Sequence, residues 1–588
     1  MKEHVLQATR NKRPISIGSI AILLLIASCD PARVENPTIT LSVISTSDVH
    51  GALLPVDGNR GLALFGGYVD NLREKRADDS GAVLLIDAGD MWQGTIESNL
   101  AEGAPIVAAF NAIAYDAAAI GNHEFDFGPA GEKATPANDL DDAQGALKRR
   151  ATEADFPLLA ANLIDNATGL PVDWPNVQPS VLIKRGGIRI GIIGLMTESA
   201  LVTTIAINTR GLSLAPLALT TIREAQKLRQ AGADLVIVSA HAGSRCESFD
   251  DPLDLSSCNM SYEIMQLALE LPPGLVDHII GGHTHQGIAH EVNGIAITES
   301  FSRSQAFGRV DFVFNRADRS LTSHRIFPPQ RICGYVNNTT GDCVAATDVS
   351  GAAQVASYSD RVVSPNAKII EIAARVAQRA YVLKSEKLGV YLETPITRAN
   401  EPNSAIGHLF TDVMLDAVGG DVLIHNVAGG IRADLPQGDL VYGSVYEMYP
   451  FDNLVVQLDL SGAELRRVLA SQVFNTYRRA GIAGIRVFAT CDGDILKLTM
   501  TRPDGSEIED HEMLAVMTTD FLAMGGDEIF APVIPEDGYP IGGSTQLVRE
   551  TIASWMRERG GNLNADSFSD ADNPKWNIPE SVVMECAL

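Results

Sequence analysis

Short apolar runs alternate with longer polar and amphipathic stretches along most of the chain from Thr38 onward. Apolar runs bounded by turn formers predict buried strands, and apolar residues at helical spacing predict helices. The predicted strands are Ile39–Ser45, Ala82–Asp87, Ala117–Ile120, Pro157–Ala160, Ile188–Ile193, Leu235–Ser239, His278–Ile280 and Ile295–Glu299. Helical stretches such as Leu217–Gln230 lie between several of them. This alternation predicts a layered α/β domain.

A change of pattern separates this domain from the C-terminal part. Residues 315–360 are rich in turn formers, and Pro365–Lys387 then carries apolar residues at helical spacing, which predicts one helix that connects two domains. A chain of 588 residues exceeds what one core usually holds. We therefore predict a first domain over residues 38–345, a linker and connector helix over 346–387, and a second, smaller α/β domain over 388–588.

The N-terminal residues predict a targeting signal. A basic start precedes the short apolar stretch Ile17–Ile26, and Ala27-Ser28-Cys29 follows. Because that stretch is too short to span a bilayer comfortably, we interpret residues 1–29 as a signal peptide and residues 30–37 as a polar tether. Ile-Ala-Ser-Cys resembles the bacterial lipoprotein cleavage box, which implies export to the periplasmic face of a membrane and a lipid on Cys29. A plain secretory signal is the alternative.

Cysteine use agrees with export. The six cysteines after Cys29 can all be paired as three disulfides in an oxidising compartment. Pairing of neighbours is favoured because short loops close at the lowest entropic cost. The expected bridges are Cys246–Cys258, Cys333–Cys343 and Cys491–Cys586.

Charge excludes one class of partner. The formal net charge is −27, so the surface would repel a long polyanion, and we expect no nucleic-acid partner. Small anions can still bind where metal ions and arginines reverse the local field. The oligomeric state stays open.

Residue types that ligate metals recur in five separated segments, each of which closes an apolar run. In chain order the segments are Asp48-Val49-His50, Gly89-Asp90, Gly121-Asn122-His123-Glu124-Phe125-Asp126, His241 and Gly281-Gly282-His283-Thr284-His285. A set of carboxylate, amide and imidazole donors suits divalent zinc, manganese or related ions rather than calcium. Any one of these histidines alone is more often a hydrogen-bonded structural residue, but the five segments together favour two metal ions.

Two neighbouring cations bind phosphoryl oxygens, lower the pKa of a water and stabilise charge during in-line attack. The leaving oxygen then needs a proton donor. His123 follows Asn122, and Asp126 lies close enough in sequence to orient the imidazole. We interpret His123 as a general acid supported by Asp126. The alternative is that His123 is one more metal ligand.

In this order the segments resemble the calcineurin-like metallophosphatases, and Gly-Asn-His-Glu-Phe-Asp resembles their secreted 5′-nucleotidase branch. The resemblance implies a four-layer metallophosphatase β-sandwich flanked by helices. It implies one metal site from Asp48, His50, Asp90 and His285, and a second from Asp90, Asn122, His241 and His283. It also implies a catalytic dyad of His123 and Asp126.

The C-terminal part carries turns suited to a nucleotide. The glycines before Arg432 permit close backbone approach, arginine binds phosphate, and Phe451 and Phe521 at polar turns can stack on a base. Either phenylalanine taken singly is more often a core residue. These segments resemble the C-terminal domain of 5′-nucleotidases, including bacterial UDP-sugar hydrolases. The resemblance implies substrate contacts from Arg398, Arg432, Phe451, Asn453, Phe521 and Asp527.

Two departures from the family pattern bear on the substrate. Asn426 precedes a turn that is one residue longer than usual, which leaves its substrate role open. Thr394 occupies the position where a second arginine precedes Arg398 in the family. The function that the resemblance implies is metal-dependent hydrolysis of nucleoside 5′-monophosphates in a cleft between the domains, with a connector that allows them to move.

Several alternatives share these features. A 2′,3′-cyclic nucleotide phosphodiesterase with 3′-nucleotidase activity or a UDP-sugar pyrophosphatase would use the same metals. A thiosulfate-ester hydrolase would share the fold, although the paired phenylalanines disfavour it. A surface nucleotide-binding protein without turnover is the alternative from another class, and the intact set of ligand residues disfavours it.

Overall fold

The computed structural model describes residues 37–131, 133–136, 138, 140–399, 403–475, 479–535, 546–568 and 574–586. The predicted signal peptide with Cys29, and all of the predicted tether except Pro37, lie outside the described residues. Within the described residues, no helix combines the length and the apolar character needed to cross a bilayer.

The first large sheet has seven strands and a parallel centre. In spatial order they are Leu321–Arg331, Ala306–Asn315, Thr38–Thr46, Ala82–Asp87, Ala117–Ala119, Leu158–Leu159 and Val177–Gln178. Thr38–Thr46 pairs in parallel with Ala82–Asp87 and antiparallel with Ala306–Asn315. The central strands are nearly continuous apolar runs because both of their faces are covered.

The second large sheet has six strands. In spatial order they are Gly287–Val292, Ile295–Ser300, His278–Ile280, Leu235–His241, Ile188–Met196 and Ser180–Arg185. The four central strands are parallel, and an antiparallel strand closes each edge. Leu235–His241 lies at the centre and is buried along its whole length.

The two sheets pack face to face, and helices cover their outer faces. Leu41 and Leu84 of the first sheet share a core with Ile190 and Ile237 of the second. The helices with buried residues in the cores on the outer faces are Leu62–Asp78, Ala104–Ile113 and Gly145–Glu153 on the first sheet, and Leu217–Gln230 and Glu263–Glu270 on the second. This order of helix, sheet, sheet and helix confirms the predicted four-layer α/β fold.

Smaller elements complete this half. Three short sheets are formed by Leu212–Leu214, Leu163–Asp165 and Leu170–Pro171, by Tyr335–Asn337 and Ala353–Val355, and by Ser357–Tyr358 and Arg361–Val362. Short helical segments are Ile96–Asn99, Asn122–Phe125, Ala200–Val202, Ala206–Thr209 and Ala346–Asp348.

The predicted connector is a helix over Ala367–Lys384. It begins two residues later than predicted because Asn366 caps it, accepting hydrogen bonds from the amides of Lys368 and Ile369. It ends earlier because Lys387 already starts the strand Lys387–Leu392. The predicted domain boundaries at residues 345 and 388 stay a prediction.

The C-terminal half is a smaller α/β unit with three sheets. The first sheet has, in spatial order, the strands Gly438–Val441, Lys387–Leu392 and Gly561–Leu563. The second has Val455–Ser461, Met513–Thr519, Val422–His425 and Gly481–Ala483. The third has Ile495–Thr501, Arg486–Asp492 and Trp576–Asn577. The helical segments are Ala405–Val418, Val427–Gly430, Tyr442–Met448, Gly462–Val473, Asp520–Ala523, Gly526–Glu528, Val548–Arg559, Ala565–Phe568 and Glu580–Glu585.

The two halves touch through the segment that follows Gln93. Ile96 is fully buried in the core of the C-terminal half, although it belongs to the N-terminal half. The Gln93 side-chain amide donates to the Pro450 carbonyl at 3.1 Å, and Lys384 pairs with Glu97 at 2.9 Å. These contacts hold the turns of the C-terminal half over the ends of the parallel strands.

The six cysteines in the described residues form the three expected disulfides, Cys246–Cys258, Cys333–Cys343 and Cys491–Cys586. The pairing prediction is therefore confirmed. The first bridge closes a loop directly after His241, and the third ties the C-terminal helix to a neighbouring strand.

Candidate active site

The predicted metal-ligand residues lie where parallel strands of the two large sheets end. Asp48 and His50 follow Thr38–Thr46, Asp90 follows Ala82–Asp87, Asn122 follows Ala117–Ala119, His241 ends Leu235–His241, and His283 and His285 follow His278–Ile280. Because the carboxyl ends of parallel strands meet at one edge of a sheet, segments distant in the chain converge there. The structure brings all seven residues together.

The first donor group contains Asp48, His50 and His285, whose ligand atoms lie within 4.8 Å of one another. The Nε2 atoms of His50 and His285 are 3.0 Å apart, and His285 Nε2 is 3.4 Å from Asp48 Oδ1. Asp48 and His50 are almost fully buried. Three donors at this spacing can surround one cation.

The second group contains Asp90, His241 and His283, with the Asn122 amide beside it. His241 Nε2 lies 3.2 Å from Asp90 Oδ2 and 3.0 Å from Asn122 Oδ1. His283 Nδ1 is 3.1 Å from the same amide oxygen. The Asn122 NH₂ group donates to the Thr203 carbonyl at 2.9 Å, so the amide oxygen points towards the two imidazoles.

Asp90 faces both groups with one oxygen. Its Oδ2 is 3.2 Å from His241 Nε2 and 3.9 Å from His50 Nε2. Its Oδ1 accepts a hydrogen bond from the His123 amide at 2.9 Å. A carboxylate in this position can bridge two cations, which is the role that the family resemblance implies for Asp90.

Backbone carbonyls orient two of the imidazoles. His50 Nδ1 lies 2.8 Å from the Gln93 carbonyl, and His241 Nδ1 lies 2.8 Å from the Ala88 carbonyl. When Nδ1–H donates to these carbonyls, the Nε2 lone pair of each ring is directed into the cluster, which is the usual arrangement around a bound metal ion.

The ligand loops carry backbone strain. Asp48, His50, Asp90, His283 and His285 all have φ between 47° and 73°, in the left-handed region that non-glycine residues seldom adopt. Each such residue costs on the order of 1 kcal/mol or more. Backbone strain on five of the seven candidate ligands is typical of a functional site, where the direction of the side chains is maintained at a cost in stability.

Burial keeps most of these histidines neutral. Burial, with help from His241, lowers the pKa of His283 to about 3, and burial with His285 lowers the pKa of His50 well below its ordinary value. For His241, burial is outweighed by Asp90, which raises the pKa to about 10, so a positive charge is favoured beside Asp90. Neutral imidazoles next to a carboxylate that attracts cations fit divalent metal ions.

Two glycines let the ligand loops approach each other closely. A Cβ on Gly121 would lie 2.3 Å from Asp90 Oδ1, and one on Gly89 would lie 2.9 Å from His241 Nδ1. Gly89 also has φ of 93°. Neither position has room for a side chain.

Two buried carboxylates that the sequence reasoning missed hold these loops in place. Glu124 accepts amide hydrogen bonds from Asp90, Met91 and Gly121 at 2.7 to 2.9 Å. Glu299 accepts from the Thr284 hydroxyl at 2.6 Å. The signal for Glu124 was present, since it lies three residues after Gly121 at a helix start, the usual place for a capping carboxylate. Glu299 has no comparable local signal.

His123 and Asp126 form the predicted pair. His123 Nδ1 is 2.7 Å from Asp126 Oδ2, and the other Asp126 oxygen accepts from the Thr204 hydroxyl at 2.8 Å. Burial alone would lower the pKa of His123, but Asp126 and Asp90 outweigh it and raise this pKa above its ordinary value. His123 Nε2 is 4.0 Å from Asp90 Oδ2, so the imidazole lies beside the second donor group.

A cavity of about 410 Å³ joins the donor groups to the C-terminal half. The predicted site residues on its wall are Asp90, Asn122, His123, Asp126, His283, His285, Arg398, Arg432, Phe451, Asn453, Phe521 and Asp527. Asp48, His50 and His241 lie behind this wall. The wall also includes Asn426, Tyr449, Arg245 and Tyr262, which were not predicted as site residues.

Arg432 crosses from the C-terminal half to the donor groups. Its Nη2 is 3.4 Å from His50 Nε2, and its guanidinium carbon lies 5.7 Å from the centre of the Phe451 ring. Burial, with Arg303 and Arg398, lowers the pKa of Arg432 to about 10, which still leaves it charged at neutral pH. Arg398 donates to the Ala428 carbonyl at 3.1 Å.

The two phenylalanines lie on the cavity wall in different settings. The Phe451 ring is 5.7 Å from the His123 ring, with the planes 28° apart. Phe521 packs on Gly526, where a Cβ would lie 2.4 Å from the ring. Both rings are partly buried against the cores of the C-terminal half.

The polar residues of this half are tied to their neighbours. Asp527 accepts from the Asn426 side-chain amide at 2.5 Å, which places Asn426 in the site despite the longer turn. Asn453 accepts from the Tyr449 hydroxyl at 2.9 Å and donates to Asp520 at 3.2 Å, so both ends of its amide have protein partners.

Residues 41–287 match the family of calcineurin-like phosphoesterases, and residues 382–534 match the 5′-nucleotidase C-terminal domain. Protein UshA of Escherichia coli (strain K12) is 25% identical over 549 residues, which cover 88% of this chain and 91% of that protein. A 5′-nucleotidase of Vibrio cholerae is 24% identical over 590 residues, covering 95% and 98%. A 5′-nucleotidase precursor from Thermus thermophilus shares the fold, with a TM-score of 0.66 at 21% identity over 89% of this chain and 97% of that one.

Proposed function

Because this chain belongs to the phosphoester hydrolases that join a calcineurin-like phosphoesterase domain to a 5′-nucleotidase C-terminal domain, we propose that it hydrolyses nucleoside 5′-monophosphates to nucleoside and phosphate. The family implies a divalent metal cofactor, and we assign two ions to the two donor groups. The observation that carries the proposal is one cavity whose wall holds members of both donor groups together with Arg432, Phe451 and Phe521.

We assign Asp48, His50 and His285 to one ion, Asn122, His241 and His283 to the other, and Asp90 to both. Divalent ions in such sites supply Lewis acidity towards phosphoryl oxygens and make water nucleophilic at neutral pH. Glu124 and Glu299 keep the ligand loops aligned, and Asn122 is oriented by the Thr203 carbonyl.

His123 acts as the general acid in this proposal. Asp126 accepts the Nδ1 hydrogen bond and stabilises the charged imidazole, which leaves the Nε2 proton for the departing 5′-oxygen. Its raised pKa favours the protonated form before the P–O bond breaks. The neighbouring Phe451 ring excludes water from one side of His123.

The C-terminal half selects the nucleotide. Phe451 and Phe521 provide apolar faces for the base, and base stacking on an aromatic ring is worth roughly 1–3 kcal/mol. Asp527, held by Asn426, offers an acceptor for sugar hydroxyls. Arg398 and Arg432 bind the phosphoryl oxygens, and Asn453 supports the base site through its links to Tyr449 and Asp520.

A second candidate substrate is a nucleotide sugar with a pyrophosphate link. The cavity wall continues past His285 to Arg245, Tyr262 and Gln286, polar residues that a monophosphate would not require. They belong to the phosphoesterase half and could face a group carried on the phosphate. Rates with AMP, a 2′,3′-cyclic nucleotide, UDP-glucose and a thiosulfate ester separate the candidate activities.

We also propose that the protein is exported and carries a lipid on Cys29. Three disulfides in the described residues support an oxidising compartment. Palmitate labelling of the expressed protein, compared with a Cys29→Ala variant, tests the lipid. Labelling that persists in C29A would refute it.

The direct test of the activity measures phosphate release from AMP before and after chelation, with metal content determined on the same sample. We expect two divalent ions per chain, loss of phosphate release with the chelator and recovery when zinc or manganese is restored. A metal-free protein that still releases phosphate, or a metal-loaded protein that binds AMP without turnover, would refute the proposal.

A further inference from the structure

Arg303 lies in a strained turn between the two halves of the molecule. It follows the strand Ile295–Ser300, and Phe301, Arg303 and Ser304 have φ of 63°, 52° and 50°. Three non-glycine residues in the left-handed region within one turn are costly, and such strain persists only where surrounding contacts impose it. The direction of the Arg303 side chain is therefore set by its contacts.

Those contacts join a proposed metal ligand to a proposed phosphate ligand. The Arg303 backbone N–H donates to the Asp48 carbonyl at 2.7 Å. Its guanidinium Nη2 donates to the Arg432 carbonyl at 3.0 Å. One residue of the N-terminal half thus links the backbone of Arg432 to the backbone of Asp48.

The phosphate side of the cavity lacks one expected cation. Thr394, which stands where a second arginine would precede Arg398, is exposed. The Arg303, Arg398 and Arg432 guanidinium groups each donate to a backbone carbonyl, of Arg432, Ala428 and Gly429 respectively. Carbonyl acceptors orient a guanidinium without neutralising its charge, so Arg398 and Arg432 on the cavity wall remain available to bind an anion.

Arg303 is not part of the cavity wall, whereas Arg432 is. Its effect on a bound anion therefore passes through Arg432, whose own guanidinium reaches to 3.4 Å from His50. The Arg432 N–H donates to the Met448 carbonyl at 2.8 Å within its own half, whereas the Arg432 carbonyl accepts from Arg303 of the other half. Loss of the Arg303 contact would therefore release the carbonyl side, and a shift of a fraction of an ångström there would move the Arg432 guanidinium relative to the donor groups.

We propose that Arg303 is a positioning residue for Arg432: its contact with the Arg432 carbonyl places the proposed phosphate-binding guanidinium beside the donor groups. The inference rests on the proposed phosphate-binding role of Arg432. It predicts that loss of Arg303 weakens binding of the phosphoryl group while leaving nucleoside binding and metal content unchanged.

The test compares Arg303→Met, Arg303→Lys, Arg432→Met and the R303M/R432M double variant of the full chain. Arg331→Met, an exposed arginine of the same domain, is the matched control. For each variant we would measure KM and kcat with AMP, the inhibition constants of inorganic phosphate and of adenosine, metal content and thermal unfolding.

We expect R303M to raise KM for AMP and the inhibition constant of phosphate about tenfold, the usual effect of losing one charge-assisted hydrogen bond. Adenosine inhibition and metal content should stay at the level of R331M. R303K should recover part of the loss because lysine keeps one donor at similar reach. In the double variant, R303M should add little to R432M, since both changes act on one interaction.

The outcomes separate this inference from the proposed function. If R432M leaves phosphate inhibition unchanged, the phosphate-binding role of Arg432 is wrong. If R432M weakens phosphate but R303M does not, or if the two effects add in full, the positioning role of Arg303 is wrong. If R303M is less stable in thermal unfolding, R303K decides the question. An inhibition constant of phosphate in R303K equal to that of R331M would then also overturn the positioning role.

Discussion

The two halves of the cavity are built in different ways. In the phosphoesterase half, every donor stands at or just past the end of a buried parallel strand, and five of the seven adopt strained backbone conformations. In the C-terminal half, which we propose binds the nucleotide, the candidate contacts come from separate turns, and side chains such as Asp527 and Asn453 are tied to neighbours in the same half. We therefore propose that the phosphoesterase half supplies the reacting groups, and that the C-terminal half, called the recognition half below, supplies a recognition surface of substrate contacts.

This difference predicts different consequences of mutation. Changes to the metal donors of the phosphoesterase half should remove metal ions and lower turnover with every substrate. Changes to the proposed base and sugar contacts Phe451, Phe521 and Asp527 should alter affinity for nucleotides and leave small phosphate esters almost unaffected. A small aryl phosphate that needs no base site therefore serves as the comparison substrate throughout.

The largest effect is expected for Asp90→Asn. Asp90 Oδ2 faces both donor groups, so loss of its charge should weaken both ions and remove several kcal/mol of transition-state stabilisation, on the order of a 10³-fold fall in kcat/KM or more. The fall should be equal for AMP and the aryl phosphate. Asp311→Asn, which changes a carboxylate paired with Arg309 in the same half, is the control. Retention of two ions and of activity in D90N would contradict the assignment.

The next effect concerns His123. His123→Ala should lower kcat by roughly 10²–10⁴-fold with AMP, as expected for loss of a general acid, while the metal content stays unchanged. An aryl phosphate has a better leaving group and should lose less. His324→Ala, which removes a histidine paired with Glu291 in the same half, is the control. A loss of metal from H123A would show that His123 is a ligand instead.

The recognition surface is tested by Phe521→Leu. Because Phe521 packs on Gly526 and does not contact His123 in the described ring contacts, its loss should raise KM for AMP about tenfold through weaker stacking. kcat/KM for the aryl phosphate should stay within about twofold, since that substrate has no base to stack. Phe474→Leu, in the same core but outside the cavity, is the control. Equal losses for both substrates would remove the distinction between the two halves.

The sequence predicts the two halves unequally, because donors at strand ends follow a local pattern and contacts from separate turns do not. The metal donors are readable because each lies in a strand or within five residues of its end, so a local pattern marks both strand and ligand. Glu124 belongs to the same local run and could have been identified as a loop-holding carboxylate. Glu299 could not, because its partner Thr284 lies on another loop and only the folded sheet brings them together.

In the recognition half, the family resemblance located Arg432, Phe451, Phe521 and Asp527, but not how they are held. Asn426 was left open because its turn differs in length, yet folding places it against Asp527. Contacts across the two halves, such as Arg303 with Arg432, carry no periodic signal at all. They depend on how the halves dock, which no local pattern specifies.

The last prediction concerns stability rather than activity, and it separates burial from metal binding. His278 in the phosphoesterase half and His425 in the recognition half are buried histidines outside the donor groups, and burial lowers the pKa of each to about 3. In the unfolded chain the ordinary value is 6.5. Between pH 7 and pH 5, the unfolded state therefore binds a proton at each position and the folded state does not. The free energy of unfolding is therefore unaffected by these histidines above pH 6.5 and falls as the pH drops below this value. At pH 5 the loss is about 2 kcal/mol per histidine.

His425 offers the sharper test because its ring stacks on Phe410 at 4.3 Å and neither ring nitrogen has a hydrogen-bond partner among the described residues. His425→Phe keeps the stacking and removes the titration. In chelator-treated protein, the free energy of unfolding of H425F should fall by about 2 kcal/mol less than that of the wild type between pH 7 and pH 5. Phe410→Leu, which changes packing alone, should lower stability equally at both pH values. An unaltered pH dependence in H425F would mean that His425 is protonated in the folded state, and the recognition half would then hold a buried charge that its contacts do not account for.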